Sequence, residues 1–67
     1  MTFGQEVRNR RKQKGISQPD FAKRLNMSQS TVSAYENDKQ RPRFDQLLLI
    51  AKELECKIDD LTNGETV

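Results

Sequence analysis

The chain has 67 residues, which is enough for one small domain with a modest hydrophobic core. One cysteine and no histidine exclude an internal disulfide and argue against a structural zinc site. The net charge is only +2, but residues 1–43 hold ten basic and four acidic residues, and residues 44–67 hold two basic and six acidic. This asymmetry favours a polyanionic partner for the first part of the chain, although a solvated surface explains it equally well.

The ends and apolar runs of the sequence predict a cytoplasmic, nucleoid-associated protein. The N-terminus has no basic start followed by an apolar run, which a secretory signal would need. The longest apolar run, residues 47–51, is too short to span a membrane. A lone thiol fits a reducing compartment. No pattern indicates a cofactor, a metal or a small-molecule substrate.

Helix signals recur along the chain with short breaks. Thr2 can cap a first helix that carries Phe3 and Val7 on one face and ends at Gly15. Ser17 can cap a second helix with Pro19 in its first turn and a buried stripe. The residues of that stripe are Phe21, Ala22 and Leu25, and Asn26 can end the helix in the left-handed conformation.

The third predicted helix is short and has two different faces. Ser28 caps it, and it runs to about Glu36 with Val32 and Tyr35 directed inward. Its outward residues are Gln29, Ser30, Ser33 and Ala34. Glutamine and serine side chains can read base edges in the major groove, and glutamine can pair with adenine through two hydrogen bonds. The spacing of the second and third helices is that of a helix-turn-helix, from about Ser17 to Glu36.

Two further helices complete the prediction. The fourth runs from about Phe44 to Glu55, with an apolar stripe at helical spacing and Leu49 pointing away from it. The stripe consists of Leu47, Ile50, Ala51 and Leu54. Ile58 and Leu61 indicate a short fifth helix, and residues 63–67 are predicted to be a flexible tail after a domain of residues 1–62. The predicted fold is therefore all-α, with five helices.

Eight pieces of sequence, in order and at matching spacing, resemble the lambda-repressor-like (Cro/repressor, XRE-type) helix-turn-helix family. They are Val7-Arg8-x-x-Arg11, Gly15-Ile16-Ser17-Gln18, Phe21-Ala22-x-x-Leu25, Met27-Ser28, Thr31-Val32-Ser33, Tyr35-Glu36-Asn37, Arg41-Pro42-Arg43 and Leu47-x-x-Ile50-Ala51-x-x-Leu54. The resemblance covers about residues 3–62. It implies a compact five-helix domain that docks on double-stranded DNA as a homodimer.

The resemblance also implies roles for particular residues. Base contacts would come from Gln29, Ser30, Ser33 and Ala34, and backbone contacts from Gln18, Ser28, Asn37, Lys39, Arg41 and Arg43. Arg11 and Glu36 would form a structural ion pair. The sequence departs from the family at Arg10, where an apolar residue is usual, at Asn26 and Asp38, where glycine is commonest, and at Lys57, where a small capping residue is usual.

Three classes of function are compared on these patterns. The favoured function is a sequence-specific DNA-binding transcriptional regulator, a repressor that binds a palindromic operator as a dimer. The alternative is a protein-interaction module or an antitoxin-like adaptor that keeps the fold, but its binding face should be apolar and aromatic. An enzyme is disfavoured, because the chain lacks histidine and a glycine-rich phosphate loop, and the adjacent carboxylates Asp59 and Asp60 fit a surface turn better than a catalytic pair.

Overall fold

A computed structural model of the chain describes residues 1–62, and the predicted flexible tail lies outside the described residues. The described part contains five α-helices and no strand, as predicted. The helices are α1 (Phe3–Gln13), α2 (Gln18–Arg24), α3 (Gln29–Glu36), α4 (Phe44–Glu53) and α5 (Ile58–Thr62). None of them is both long and apolar enough to cross a membrane.

The first three helices begin at hydroxyl side chains. The hydroxyl oxygens of Thr2, Ser17 and Ser28 each accept a hydrogen bond from the backbone N–H three residues later, at 3.2 Å in all three helices. Each bond satisfies one of the N–H groups that a helix leaves without a partner in its first turn. The three predicted caps are confirmed.

The first four helices all end in the same way. The residue after each C-cap has a positive φ: 71° at Gly15, 57° at Asn26, 59° at Asp38 and 56° at Glu55. The next N–H then bonds back to a carbonyl five residues earlier, for example Lys39 N to Ala34 O at 2.9 Å. This is the Schellman motif, and three of the four helices form it without glycine. Because Glu55 takes this conformation, α4 ends at Glu53 and the prediction that it extends to Glu55 was wrong.

The core lies between the helices and is built mostly from the predicted stripes, but Leu47 of the α4 stripe is only partly buried, and Ile16 joins the core from the turn after α1. Its buried apolar residues are Phe3, Val7, Ile16, Phe21, Ala22, Leu25, Val32, Tyr35, Ile50, Ala51, Leu54 and Leu61. Cys56 is partly buried against this cluster, and burial raises the pKa of its thiol. Phe44, Leu48 and Leu49 are the large apolar side chains that α4 leaves exposed.

The first turn of α1 packs closely against the last turn of α3. A methyl group added at Gly4 would lie 2.5 Å from the carbonyl oxygens of both Tyr35 and Glu36. A methyl carbon and a carbonyl oxygen do not approach each other to 2.5 Å, so this contact between the helices requires glycine.

We therefore expect Gly4→Ala to lower the free energy of unfolding by about 1–3 kcal/mol, because the added methyl must push α1 away from α3. Alanine normally favours a helix over glycine, so the expected sign is the reverse of the intrinsic propensity. Urea unfolding followed by circular dichroism measures the change. Asn9→Ala, on the exposed side of α1, is the control and should stay within about 0.5 kcal/mol of the original protein. Equal or greater stability for Gly4→Ala would contradict the close contact.

Candidate nucleic-acid interface

The helix-turn-helix is formed by α2 and α3, which are joined by residues 25–28. On the inner side of α3, Val32 and Tyr35 are buried in the core. On its outer side Gln29 and Ser30 are exposed, while Ser33 and Ala34 are half-buried. No neighbouring helix in residues 1–62 covers Gln29 and Ser30, so their polar groups are available to a ligand.

A buried ion pair fixes α3 relative to α1. The side chains of Arg11 and Glu36 are only 7% and 2% exposed, and two hydrogen bonds join them, Nε to Oε2 at 2.7 Å and Nη2 to Oε1 at 3.0 Å. The remaining Nη1 of Arg11 donates to the carbonyl of Ile16 at 2.8 Å. A pair with two parallel bonds has a fixed geometry, so it sets the orientation of the end of α3.

The ion pair extends to the surface through two glutamines. Gln18 Nε2 donates to Glu36 Oε1 at 3.1 Å, and Gln29 Nε2 donates to Gln18 Oε1 at 3.2 Å. These bonds leave Gln29 with a free carbonyl oxygen and one free N–H that face outward. An acceptor and a donor side by side match the major-groove edge of adenine, which offers a donor at N6 and an acceptor at N7.

At each end of α3, polar side chains form hydrogen bonds with one another. At the start, the Ser28 hydroxyl lies 2.7 Å from the Thr31 hydroxyl in addition to its capping bond. At the end, Asn37 Nδ2 donates to the carbonyl and the hydroxyl of Ser33, at 2.9 and 3.2 Å. Since the Ser33 oxygen accepts this bond, its hydroxyl hydrogen remains available to donate.

Residues 39–43, which we name the basic loop, connect α3 to α4 and carry three exposed cations. These are Lys39, Arg41 and Arg43. The Arg41 guanidinium carbon lies 5.1 Å from the centre of the Phe3 ring, a cation–π contact that places this side chain over α1. Within residues 1–62, Lys39 and Arg43 form no ion pair, so their charges remain available to a polyanion.

Arg8 belongs to the basic stretch of residues 8–14, which the sequence leaves open between phosphate contact and a solvated face, and it lines a groove beside the predicted backbone contacts. The groove is also lined by Arg11, Ser17, Gln18, Glu36 and Asn37. Arg8 is exposed, whereas the groove's other arginine is buried and fully paired. Arg8 lies three residues before Arg11 and therefore on the same face of α1.

A helix-turn-helix family model matches most of the chain. The helix-turn-helix model HTH_3 covers residues 7–61, which include all of α2, α3 and α4.

Curated relatives share about a third of their residues with the chain. The transcriptional activator BcrR of Enterococcus faecalis is 31% identical over 65 residues, which are 97% of this chain and 32% of BcrR. Repressor protein C2 of Salmonella phage P22 is 32% identical over 63 residues, 94% of this chain and 29% of the repressor. The chain thus spans about a third of the length of these two relatives.

Solved structures have the same arrangement of helices. The P22 c2 repressor in complex with a synthetic operator superimposes with a TM-score of 0.90 at 31% identity, covering 97% of this chain and 98% of that chain. SinR in complex with DNA gives a TM-score of 0.83 at 26% identity, covering 90% and 97%. These similarities confirm the predicted lambda-repressor-like fold.

The buried ion pair generates a stability prediction. Removing one partner, by Arg11→Met or by Glu36→Leu, leaves the other charge buried and should cost about 3–5 kcal/mol, enough to unfold much of a small domain. The double variant should recover most of that loss, because no unpaired charge remains. Urea unfolding of the three variants tests this pattern.

Arg24→Met is the matched control, since it removes an arginine that is 47% exposed and pairs with Asp20 at 3.1 Å and with Glu53 at 3.6 Å. A surface pair of this kind is worth less than about 1 kcal/mol. If the Arg11 and Glu36 single variants lost no more stability than Arg24→Met, the ion pair would not orient α3 as described.

Proposed function

The chain belongs to the helix-turn-helix family, and we propose that it is a sequence-specific DNA-binding transcriptional regulator that inserts α3 into the major groove. The observation that carries the proposal is the exposed Gln29 amide, which is held by Gln18, itself bonded to the buried Glu36. We favour repression, because the solved neighbour with the TM-score of 0.90 is a repressor on an operator. A regulator of this kind would work in the cytoplasm, at the nucleoid.

In this proposal, one set of residues selects the base sequence, and another set attracts the DNA backbone. Gln29 pairs with adenine, the hydroxyls of Ser30 and Ser33 bond to base edges, and Ala34 offers a methyl group to thymine. None of these side chains is charged, so they select among sequences without adding much attraction. Attraction comes from residues that bond to phosphates, namely Gln18, Ser28, Asn37, Lys39, Arg41 and Arg43.

The proposed DNA-bound form is a homodimer on a palindromic operator. A two-fold symmetric dimer reads a symmetric site, because each protomer places its α3 on one half. Phe44, Leu48 and Leu49 on α4 are 68%, 46% and 50% exposed, and contact between two copies would remove such apolar surface from water.

The same apolar residues of α4 support a second candidate function, a protein-interaction module or antitoxin-like adaptor. Interfaces between proteins favour exposed aromatic and aliphatic side chains, and α4 has them where α3 does not. If the chain has this second function, α4 contacts another protein and α3 binds no ligand. Both candidate functions consist of binding, with no catalytic step.

Two substitutions separate base selection from attraction. Gln29→Ala should relax the preference for one base pair, with a discrimination loss of about 1–3 kcal/mol at that position. Arg43→Ala should weaken binding to all sequences alike and reduce the slope of log affinity against log salt by about one. Selection from a random duplex library followed by anisotropy titrations at several salt concentrations measures both effects.

Lys52→Ala is the control for loss of one positive charge, since Lys52 is exposed on α4 outside the proposed interface. It should change the salt slope less than Arg43→Ala does. Equal affinity of the original protein for every duplex would contradict sequence-specific binding, and no binding at low salt would favour the adaptor function.

The dimer proposal predicts the form of the selected sites. Half-sites should be inverted repeats with centres about 10 base pairs, one helical turn, or a multiple of that apart. Leu48→Glu should weaken binding to the full site but not to a single half-site, because it places a charge in the contact between protomers. Single, asymmetric sites in the selection would contradict the dimer.

A further inference from the structure

Asp38 occupies a backbone position that usually favours glycine. It follows the C-cap of α3, and its φ of 59° lies in the left-handed region, which is unfavourable for most side chains. Its N–H bonds back to the Tyr35 carbonyl at 3.2 Å and completes the Schellman motif. Glycine would form the same turn without strain, so the backbone alone does not explain an aspartate here.

The carboxylate of Asp38 caps a different helix from the one it follows. Gly4 N donates to Oδ1 at 2.9 Å, and the Thr2 hydroxyl donates to Oδ2 at 2.5 Å. Both donors belong to the start of α1, where free N–H groups and the helix dipole favour a negative charge. Two bonds to an ionised acceptor therefore tie the chain after α3 to the first turn of α1.

The Arg41–Phe3 contact ties the basic loop to the same turn of α1 a second time. The contact is made three residues beyond Asp38, and the Phe3 ring is fully buried. Between these two ties the loop has little freedom to move away from α1, and Lys39 lies between them. Arg43 lies two residues after Arg41, directly before α4.

From this geometry we infer that Asp38 is a positioning residue for DNA binding: its carboxylate anchors the start of the basic loop on α1 and so presents Lys39 to phosphates. The inference rests on the proposed function. A loop whose backbone is already held loses less conformational freedom when DNA binds, and affinity rises accordingly. Asp38 would then raise affinity for a polyanion although it carries the same sign of charge as the phosphates.

Because Asp38 is negatively charged, the inference and the repulsion between its carboxylate and the phosphates predict opposite effects of removing it. Removal of a carboxylate near a phosphate contact normally strengthens DNA binding. Asp38→Gly removes the carboxylate and keeps the turn, and we expect its affinity to fall by about tenfold, because Lys39 becomes free to move. The slope of log affinity against log salt should also become shallower, by about one.

Glu55→Gly is a closely matched control. Glu55 is also a non-glycine residue at a left-handed C-terminal position, and its carboxylate pairs with Lys14 at the opposite end of α1. Both variants change the net charge by the same amount and relieve the same kind of backbone strain. Glu55→Gly should bind DNA as tightly as the original protein, or slightly more tightly.

The experiment compares the original protein, Asp38→Gly, Asp38→Asn and Glu55→Gly by anisotropy with one duplex from the library selection. Asp38→Asn keeps an acceptor for Gly4 N–H and should lose less affinity than Asp38→Gly, and circular dichroism establishes that each variant is folded. Equal affinities and salt slopes for Asp38→Gly and Glu55→Gly overturn the inference, as does tighter binding by Asp38→Gly. If Asp38→Gly is unfolded, an unchanged affinity and salt slope of Asp38→Asn overturn it.

Failure of the proposed function gives a different result. In that case the original protein binds no duplex, and the inference is lost with it. Hydrogen exchange at Gly4 N–H, measured without DNA, then still reports whether Asp38 anchors the loop, because this amide should exchange faster in Asp38→Gly than in Glu55→Gly.

Discussion

The orientation of α3 depends on the ion pair between Arg11 and Glu36. This pair is buried, has two bonds, and joins the last turn of α1 to the last residue of α3. Burial makes it sensitive to the loss of either partner, since an unpaired charge in the core is unfavourable by several kcal/mol. The same carboxylate accepts from Gln18, which accepts in turn from Gln29. A surface glutamine is thus held through Gln18 by a buried carboxylate, unlike the side chains of an ordinary polar helix face.

α1 supports this arrangement by contacts at both of its ends. Asp38 caps its first turn, and Glu55 pairs with Lys14 at its last, which lowers the pKa of the Glu55 carboxyl. Both acids occupy a left-handed position after a helix, and the carboxylate of each contacts one end of α1. In a domain this small, few residues are available to hold α1 by contacts of their own. The turns that end α3 and α4 therefore also hold α1 in place.

Much of the fold could be predicted because its signals are local. The caps at Thr2, Ser17 and Ser28 and the apolar stripes need only neighbours within a turn or two of helix. What was missed depends on contacts between residues distant in sequence. Glutamate has no intrinsic preference for the left-handed conformation of Glu55, and its partner is 41 residues away. The Asp38–Gly4 contact spans 34 residues, and periodicity does not reveal it. The pairing of Arg11 with Glu36 was expected only from the family resemblance, because spacing alone does not bring these two residues together.

We propose that the Gln29 face of α3, held by the buried ion pair, is the surface that contacts DNA. Titration of isotope-labelled protein with a random-sequence duplex in dilute buffer, followed by heteronuclear NMR, tests it directly, because non-specific binding uses the same electrostatic surface. We expect the signals of the Gln29 side-chain amide, the Ser30 N–H and the basic loop to shift, while the signals of α5 change little. Unshifted signals on α3, with changes confined to Leu48 and Leu49 on α4, would contradict it.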